Sequence, residues 1–293
     1  MQIDAYSKIN LILDVICRRL DGYHELRSVM QTLELHDTLT ITSAGEGFTL
    51  TCSDKNLPTD DRNLVTRAAK YLIKQHNIRQ PISIHLEKRI PEAAGLAGGS
   101  SDCAATLMGI NALFNLQIPL HSSNQCPSLM SIGKAFGADV PFCLMGGTAL
   151  AEGIGEELTP LPTHPPTTVL LVCPNIRVST AAVFARYDPK NSSPSNMQAM
   201  INALHDSNVA DIASNFSNDL TQITTKMHPK IDEIITQMKT HGALGAAMSG
   251  SGPTVFGYFD SEESAMYAKK KLAHAGRVYL TSVKAVRSTA PNA

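Results

Sequence analysis

The sequence predicts an α+β protein of two domains, and three features support this. Its 293 residues, 43% hydrophobic and 17% charged, are enough for two packed cores of ordinary size. Strand-like segments come first and helical segments are interleaved later, unlike the regular alternation of a βαβ repeat. Four prolines between residues 158 and 166 interrupt the chain. We place the boundary there, with domains at residues 1–160 and 161–293.

The first domain begins with strands. Between residues 8 and 15 apolar side chains alternate with Lys8, Asn10 and Asp14, which predicts an antiparallel strand with one polar face. A helical period over residues 63–73 predicts the first helix. The further strands predicted in this domain span residues 29–35, 38–42, 48–52 and 82–86.

The second domain mixes strands and helices. Asp260 and Glu263 resemble a capping box at the start of a helix that runs to Leu272. A polar loop is expected over residues 191–196. The strands predicted here span residues 168–173, 254–259 and 278–286, and the other helices span 180–186, 218–227 and 230–240.

Composition narrows the class of partner. Lys and Arg number 25 and Asp and Glu 26, so the chain lacks the basic field of proteins that bind nucleic acid or anionic membranes. No segment approaches the roughly 20 apolar residues that cross a bilayer, and no signal peptide is recognisable. The six cysteines show no zinc-type spacing and are expected to be reduced. We therefore expect a cytoplasmic protein with a small-molecule partner, and no nucleic-acid or membrane partner.

A glycine-rich segment at residues 91–102, PEAAGLAGGSSD, runs directly into an amphipathic helix. Such a junction presents unpaired backbone N–H groups and the positive end of the helix dipole, which bind phosphate. Ser100, Ser101 and Asp102 are equally compatible with a role as plain helix N-caps. The sequence contains neither a Walker A motif nor the G-x-G-x-x-G motif of dinucleotide-binding folds. The segment alone leaves phosphate binding and helix capping as even alternatives.

Two further motifs accompany this loop: AYSKIN at residues 5–10 and MSGSGP at residues 248–253. In this order the three motifs resemble those of the GHMP kinases, the superfamily of galactokinase, homoserine kinase, mevalonate kinase and phosphomevalonate kinase. DGYHEL at residues 21–26 and GADVPF at residues 137–142 are similar to its diphosphocytidyl-methylerythritol kinase branch. The resemblance covers nearly the whole chain. It implies a ribosomal-protein-S5-domain-2-like N-terminal domain, a ferredoxin-like C-terminal domain and an active site between them.

The same resemblance implies roles for individual residues. Asp139 would be the catalytic base, and Lys8 would hydrogen-bond both Asp139 and the substrate hydroxyl. The implied substrate-binding residues are Asn10, Tyr23, His24, Met30 and Thr180, with Tyr23 stacking on cytosine and His24 bonding its edge. The implied ATP-binding residues are Asn63, Lys88, Pro91, Gly95, Leu96, Ala97, Gly98, Gly99, Ser100 and Ser101. The C-terminal glycine motif consists of Ser249, Gly250, Ser251 and Gly252.

The reaction implied by the resemblance is the ATP-dependent phosphorylation of the 2-hydroxyl of 4-diphosphocytidyl-2-C-methyl-D-erythritol, in the non-mevalonate isoprenoid pathway. ATP with Mg²⁺ is the expected cofactor, and a monomer or homodimer is the expected state. The chain departs from the superfamily at Ala93 and Ala97, where glycine is usual, so positive φ angles are not expected there. The serine pair also follows the leucine later than in the superfamily.

Position alone supports simpler interpretations of the same residues. Asp139 would be a turn former and Lys8 an exposed charge on a strand. Tyr23 would be an aromatic at the edge of the core and His24 a turn residue. Alternative functions are a nucleotide sensor of this fold, an RNA-binding module, and another GHMP kinase such as a mevalonate or homoserine kinase. The segment at residues 21–26 separates the last of these, because mevalonate and homoserine have no base to stack.

Overall fold

The computed structural model describes residues 1–121, 127–188 and 195–285. The described strands are β1 (Gln2–Arg18), β2 (His24–Thr42), β3 (Phe48–Cys52), β4 (Ile82–Glu87), β5 (Thr148–Glu152), β6 (Glu157–Pro160), β7 (Thr168–Cys173), β8 (Ser217–Asn218), β9 (Gly245–Met248), β10 (Val255–Phe259) and β11 (Arg277–Ser282). The described α-helices are α1 (Leu64–Gln75), α2 (Gly98–Leu113), α3 (Leu129–Lys134), α4 (Val140–Met145), α5 (Thr180–Phe184), α6 (Met197–His205), α7 (Val209–Ser214), α8 (Thr221–Met227), α9 (Lys230–Thr240) and α10 (Glu262–Leu272).

The strands form two sheets. The N-terminal sheet has the order β3-β4-β2-β1-β8, and β5 pairs with β2 and carries β6 at its outer edge. The C-terminal sheet has the order β11-β7-β10-β9, and its neighbouring strands are antiparallel. Because β8 lies beyond the proline-rich segment and pairs with β1, the second half of the chain adds a short strand to the first sheet. The division at residues 160 and 161 stays a prediction.

Strand β1 lies inside the N-terminal sheet, between β2 and β8, and is buried continuously from residue 7 to residue 15. The predicted antiparallel pairing is confirmed with β2. The predicted simple alternation is wrong, because the register shifts between Asn10 and Ile12. Leu11 and Ile12 therefore join the same apolar core although they are neighbours in sequence. Lys8 and Asn10 become buried polar residues of a central strand, which makes them candidates for a site.

Apolar cores cover both faces of the sheets. On one face of the N-terminal sheet α1 and α2 pack through residues such as Leu72. A second core lies between the two sheets, where Ile9 and Leu33 meet Phe256, and α6 and α7 close it. α9 and α10 cover the remaining face of the C-terminal sheet. The shared middle core holds the two sheets against each other and fixes the seam in which the candidate site lies.

Several predicted elements differ in their bounds. The strands predicted at residues 29–35 and 38–42 are one strand, β2, because β1 pairs with it along nearly its whole length. The helix predicted from residue 218 begins at Thr221, since the preceding residues pair with β1. Ser261 caps α10 by accepting from the Ser264 N–H group, so the predicted start at Asp260 is wrong by one residue. The last strand ends at Ser282.

Two predicted features are incomplete in the structure: residue 286 and residues 191–194 of the predicted polar loop lie outside the described residues. No disulfide joins the cysteines within the described ranges. No helix in the described part of the chain is both long and apolar enough to cross a membrane.

Candidate active site

A cleft of about 270 Å³ lies where β1, the glycine-rich loop and the C-terminal glycine motif meet. Residues predicted from widely separated motifs line this cleft: Lys8, Asn10, Met30, Gly95, Ala97, Ser100, Asp139, Thr180, Gly250 and Ser251. The lining residues that the sequence analysis missed are Leu13, Leu26, Ser28, Ala138, Ile154, Gly155, Phe184 and Leu220. The fold thus brings residues of the three motifs, AYSKIN, the glycine-rich segment and MSGSGP, to one cavity.

Lys8 and Asp139 form an ion pair at the floor of the cleft. Lys8 Nζ lies 3.6 Å from Asp139 Oδ1, and the two side chains are 6% and 34% exposed. The ammonium donates a hydrogen bond to Asn10 Oδ1 at 2.9 Å, and Asn10 Nδ2 donates to Ser28 Oγ at 2.8 Å. The interpretation of Lys8 as an exposed charge is therefore wrong, because a central strand buries it. The ammonium is held beside the carboxylate while its hydrogen bond goes to Asn10.

Asp139 is presented by a turn that starts a helix. The Val140 N–H group donates to Gly137 O, and Asp139 is the N-cap residue of α4. Its side chain makes no capping hydrogen bond to the helix. The carboxylate therefore extends into the cleft, where it can accept a proton from a bound hydroxyl group.

The glycine-rich loop contains left-handed residues that are not glycine. Ala93 has φ 48° and Ala97 has φ 57°, so the expectation that these positions avoid positive φ is wrong. The turn that leads into α2 requires this conformation. The loop is held to β1 by a hydrogen bond from the Lys8 N–H group to Leu96 O at 3.1 Å. The backbone strain of two alanines is held by the surrounding contacts.

The two serines of the pair, Ser100 and Ser101, differ in burial and in their contacts. Ser101 is fully buried and donates its hydroxyl hydrogen to Gly98 O at 2.9 Å, whereas Ser100 lines the cleft. Ala97 is the N-cap residue of α2 and makes no side-chain cap, so the interpretation of Ser100, Ser101 or Asp102 as N-caps is wrong. The first N–H groups of α2 have no acceptor within the helix and are available to an anion.

The C-terminal glycine motif packs directly on this loop. Ser249 Oγ donates to Gly95 O at 2.9 Å, and the hydroxyl groups of Thr180 and Ser251 are 2.8 Å apart. Asn218 donates from Nδ2 to the carbonyl groups of Met248 and Gly250, each at 2.8 Å. Since β8 carries Asn218 beside β1, these bonds connect the motif to the strand of Lys8.

We expect Gly95→Ala to lower the free energy of unfolding by roughly 3 kcal/mol or more, since strain and overpacking add. Gly95 has φ 76°, and a Cβ atom there would lie 2.3 Å from Ser249 O, a backbone atom that cannot rotate away. Urea denaturation measures the loss. Gly47→Ala is the control, because Gly47 has φ 60° and open space around it. Equal losses in the two variants would show that the contact with Ser249 contributes nothing.

A buried charged cluster lies beneath the loop. Lys88 Nζ donates to Asp37 Oδ2 and, at 2.8 Å, to Asp102 Oδ2. Asp37 Oδ1 also accepts from the N–H groups of Arg89 and Ile90. Burial raises the pKa of Asp102 to about 8, opposed by Lys88 and assisted by Asp37. Burial lowers the pKa of Lys88, but the two carboxyl groups outweigh it and raise that pKa above its ordinary value.

We expect the stability of the protein to fall, relative to that of Asp102→Asn, as the pH rises from about 4 towards 8. The unfolded carboxyl group loses its proton near 3.8, whereas the folded one keeps it to about 8. Within this window the folded state binds one more proton, so rising pH favours unfolding with a slope of at most about 1.4 kcal/mol per pH unit. Urea denaturation of both proteins across this window checks the slope. Parallel pH profiles would contradict a buried, protonated Asp102.

A second cleft, of about 320 Å³, lies beside the first half of the glycine-rich loop. Its lining residues are Ser53, Asp54, Lys55, Lys88, Arg89, Ile90, Pro91, Glu92 and Arg277. Asn63 caps α1, since its Oδ1 accepts from the Val65 N–H group and its Nδ2 donates to Pro58 O. The start of α1 adjoins that of α2, because a Cβ atom at Gly99 would lie 3.9 Å from Leu64. Of the implied ATP-binding residues, Lys88 and Pro91 line this second cleft.

An aromatic group borders the main cleft through Phe184, whereas His24 and Tyr23 are not among the lining residues. The His24 ring packs against the Phe184 ring with centroids 5.0 Å apart, and Tyr187 meets His24 edge-on at 6.2 Å. Burial, with a smaller effect of Arg18, lowers the pKa of His24. Tyr23 is 61% exposed, so the interpretation as a core-edge aromatic is wrong. A neutral imidazole can donate from one nitrogen and accept at the other, which suits a heterocyclic base.

The chain is similar to known proteins over most of its length. The family model for the GHMP kinases N terminal domain matches residues 63–147, and the model for GHMP kinases C terminal matches residues 192–277. The 4-diphosphocytidyl-2-C-methyl-D-erythritol kinase of Caldicellulosiruptor bescii is 44% identical over 93% of this chain and 94% of its own. That of Lachnoclostridium phytofermentans is 43% identical over 96% of both chains. The chain belongs to this family of GHMP kinases.

Solved structures agree with the family. A crystal structure of 4-(cytidine 5'-diphospho)-2C-methyl-D-erythritol kinase is 33% identical, with a TM-score of 0.84, and the match covers 97% of this chain and 99% of that one. Homoserine kinase from Cytophaga hutchinsonii, 19% identical with a TM-score of 0.72 over 97% of this chain and 96% of its own, shares the fold. The two-domain GHMP kinase fold predicted from the three motifs is confirmed.

Within this GHMP kinase, sequence reasoning missed two kinds of residue. Phe184 lines the cleft, but in the sequence it is one apolar residue of a short helix without a distinguishing neighbour. Asp37 is fully buried in the middle of β2, and the sequence shows it only as an acidic residue in a polar stretch. Acidic residues are seldom fully buried unless they are paired, and nothing in this polar stretch marks Asp37 as buried.

Proposed function

We propose that this chain catalyses the ATP-dependent phosphorylation of the 2-hydroxyl of 4-diphosphocytidyl-2-C-methyl-D-erythritol, yielding the 2-phosphate and ADP in isoprenoid precursor synthesis. One observation carries the proposal: a single cleft is lined by the Lys8–Asp139 pair, by the glycine-rich loop and by Phe184, on whose ring His24 packs. The names of the relatives at 43–44% identity support the same substrate. We also propose the cytoplasm as the place of the reaction.

The chemistry follows from the Lys8–Asp139 pair. Phosphoryl transfer requires an oriented alcohol and stabilised charge on the transferred group. Asp139 accepts the proton of the substrate hydroxyl as its oxygen attacks the γ-phosphorus of ATP, and the bond from that phosphorus to the β,γ-bridging oxygen breaks to release ADP. The Lys8 ammonium, held by Asn10, stabilises the negative charge that develops on the attacking oxygen. Asn10 in turn is fixed by Ser28, so the cation is positioned before the substrate arrives.

The ATP phosphates lie against the start of α2, where Gly98 and Gly99 leave N–H groups exposed to an anion. Gly95, Leu96 and Ala97 shape the loop that leads to this point, and the Ser249–Gly252 motif supports it from the C-terminal domain. The adenine and ribose would extend towards the second cleft, which contains Lys88 and Pro91. Asn63 caps α1, whose first residue adjoins Gly99 at the start of α2.

Mg²⁺ bound together with the ATP phosphates would neutralise part of their charge. Ser100 is the residue of the serine pair that fits a ligand role, because its side chain lines the cleft while the Ser101 hydroxyl is bonded to Gly98 O. Among the described residues, no three His, Cys, Asp or Glu side chains are grouped as a metal site.

The cytidine end of the substrate lies at the aromatic group. Phe184 and the exposed ring of Tyr23 offer stacking surfaces, and the neutral His24 ring bonds the polar edge of cytosine. Met30 lines the apolar wall of the cleft, and Thr180 presents its hydroxyl near Ser251. This end separates the proposed substrate from mevalonate and homoserine, which have no base.

An ADP-release assay with a panel of alcohols tests the function. Purified protein with ATP and Mg²⁺ is offered 4-diphosphocytidyl-2-C-methyl-D-erythritol, mevalonate and homoserine in parallel. We expect ADP release only with the cytidylyl substrate, since the aromatic group contributes binding only when a base is present. Turnover of mevalonate or homoserine in place of the cytidylyl alcohol would replace the proposal with another GHMP kinase activity. Nucleotide binding without turnover of any alcohol would favour a sensor.

A further inference from the structure

The charged cluster of Asp37, Lys88 and Asp102 brackets the glycine-rich loop. Lys88 follows the end of β4 and precedes the loop, whereas Asp102 is the last residue of the glycine-rich segment and lies in the second turn of α2. The bond from Lys88 Nζ to Asp102 Oδ2 therefore joins the two ends of the segment. Asp37 attaches the first end to β2 through Lys88 and through the N–H groups of Arg89 and Ile90.

These three side chains are almost completely shielded from water, at 0%, 8% and 6% exposure for Asp37, Lys88 and Asp102. Removing charged groups from water is costly, and apolar residues of similar size would fill this space more cheaply. Asp102 Oδ1 is buried without a hydrogen-bond partner among the described residues, which adds to that cost. Stability alone therefore does not account for the cluster, whereas the fixed position of the loop does.

The cluster also touches the start of α2 from below. A Cβ atom at Gly98 would lie 3.4 Å from Lys88 Nζ, so the ammonium sits directly against the first residue of the helix. Gly98 is the point at which the free N–H groups of α2 begin. A shift of Lys88 would move these N–H groups relative to Lys8, which β1 carries, and to Asp139 at the start of α4.

We propose that Asp37, Lys88 and Asp102 are positioning residues that hold the glycine-rich loop and the start of α2 in the geometry that receives the ATP phosphates. The inference deepens the proposed function and rests on it. In this arrangement the Lys88 ammonium bonds the carboxyl groups of Asp37 and Asp102. It affects ATP binding by holding the loop in position.

Two substitutions of Asp102 test the inference. Asp102→Leu has a similar volume and removes the acceptor, while the charge-balanced Lys88–Asp37 pair remains and keeps the chain folded. Asp102→Asn retains an oxygen that accepts from Lys88. We expect Asp102→Leu to raise the Kd of a non-hydrolysable ATP analogue about tenfold or more, and Asp102→Asn to raise it no more than about threefold. Calorimetric titration with cytidine diphosphate should give wild-type affinity in both variants.

Hydrogen exchange of the loop provides a readout that needs no nucleotide. Amides of residues 91–102 should exchange faster in Asp102→Leu than in the wild type, and those of β10 should not change. Asp61→Leu is the matched control, because Asp61 pairs with Lys70 at 2.6 Å on the exposed surface of the same domain. It should change neither the exchange of residues 91–102 nor the affinity for the analogue.

The inference is overturned if Asp102→Leu binds the ATP analogue like the wild type, if the Leu and Asn variants lose affinity equally, or if affinity for cytidine diphosphate falls in parallel. Unchanged exchange at residues 91–102 would also overturn it. The proposed function fails separately, if the wild type releases no ADP with the cytidylyl alcohol. In that case the exchange comparison still decides whether the cluster holds the loop.

Discussion

Asp139→Asn is expected to lower turnover by on the order of 10²-fold or more, while ATP and the cytidylyl substrate still bind. The amide keeps the shape of the side chain but cannot accept the hydroxyl proton as a base. It also removes the negative charge 3.6 Å from Lys8 Nζ. Single-turnover kinetics at saturating ligand concentrations measure the chemical step, and calorimetry measures binding.

Lys8→Met is expected to produce a loss of similar size, because it removes the cation that stabilises the attacking oxygen. The double variant should lose little more than either single one, since the two groups act as a unit. Asp232→Asn is the control, an exposed aspartate in the first turn of α9. Near-normal single-turnover rates in Asp139→Asn would show that another group accepts the proton.

Tyr23→Ala and Phe184→Ala are expected to raise the KM for the cytidylyl substrate by roughly ten- to a hundredfold, because each removes a stacking surface for the base. Turnover at saturation should suffer less, since the base is remote from the reacting hydroxyl. The Kd for an ATP analogue should not change. Phe184→Ala should have the additional effect of releasing the His24 ring, which packs on Phe184 at 5.0 Å.

Steady-state kinetics with the cytidylyl alcohol and titration with cytidine diphosphate measure both variants. Tyr267→Ala is the matched control, an exposed tyrosine on α10 in the C-terminal domain. Unchanged affinity of Tyr23→Ala for cytidine diphosphate would remove Tyr23 from the base site and leave Phe184 and His24 there. Unchanged affinity in both variants would remove the aromatic group as a whole.

The residues at the floor of the cleft belong to local sequence patterns, which is why the motifs could nominate them. Lys8 and Asn10 stand two residues apart on one strand, and both line the cleft. The glycine loop does open a helix, as its composition predicts. The backbone of the loop was predicted wrongly, because local preference disfavours positive φ at Ala93 and Ala97, whereas tertiary contacts enforce it. The roles of the individual site residues stay predictions until the variants are measured.

By itself the sequence determined the fold class, the family and the order of the three motifs, since these depend on periodicity and on residue types at fixed local spacing. Only the tertiary structure decided which separate residues meet. It placed Gly95 against Ser249, His24 against Phe184, and Lys88 between Asp37 and Asp102. Such contacts join residues far apart in the chain, and their geometry follows from how sheets and helices pack, which no local pattern encodes.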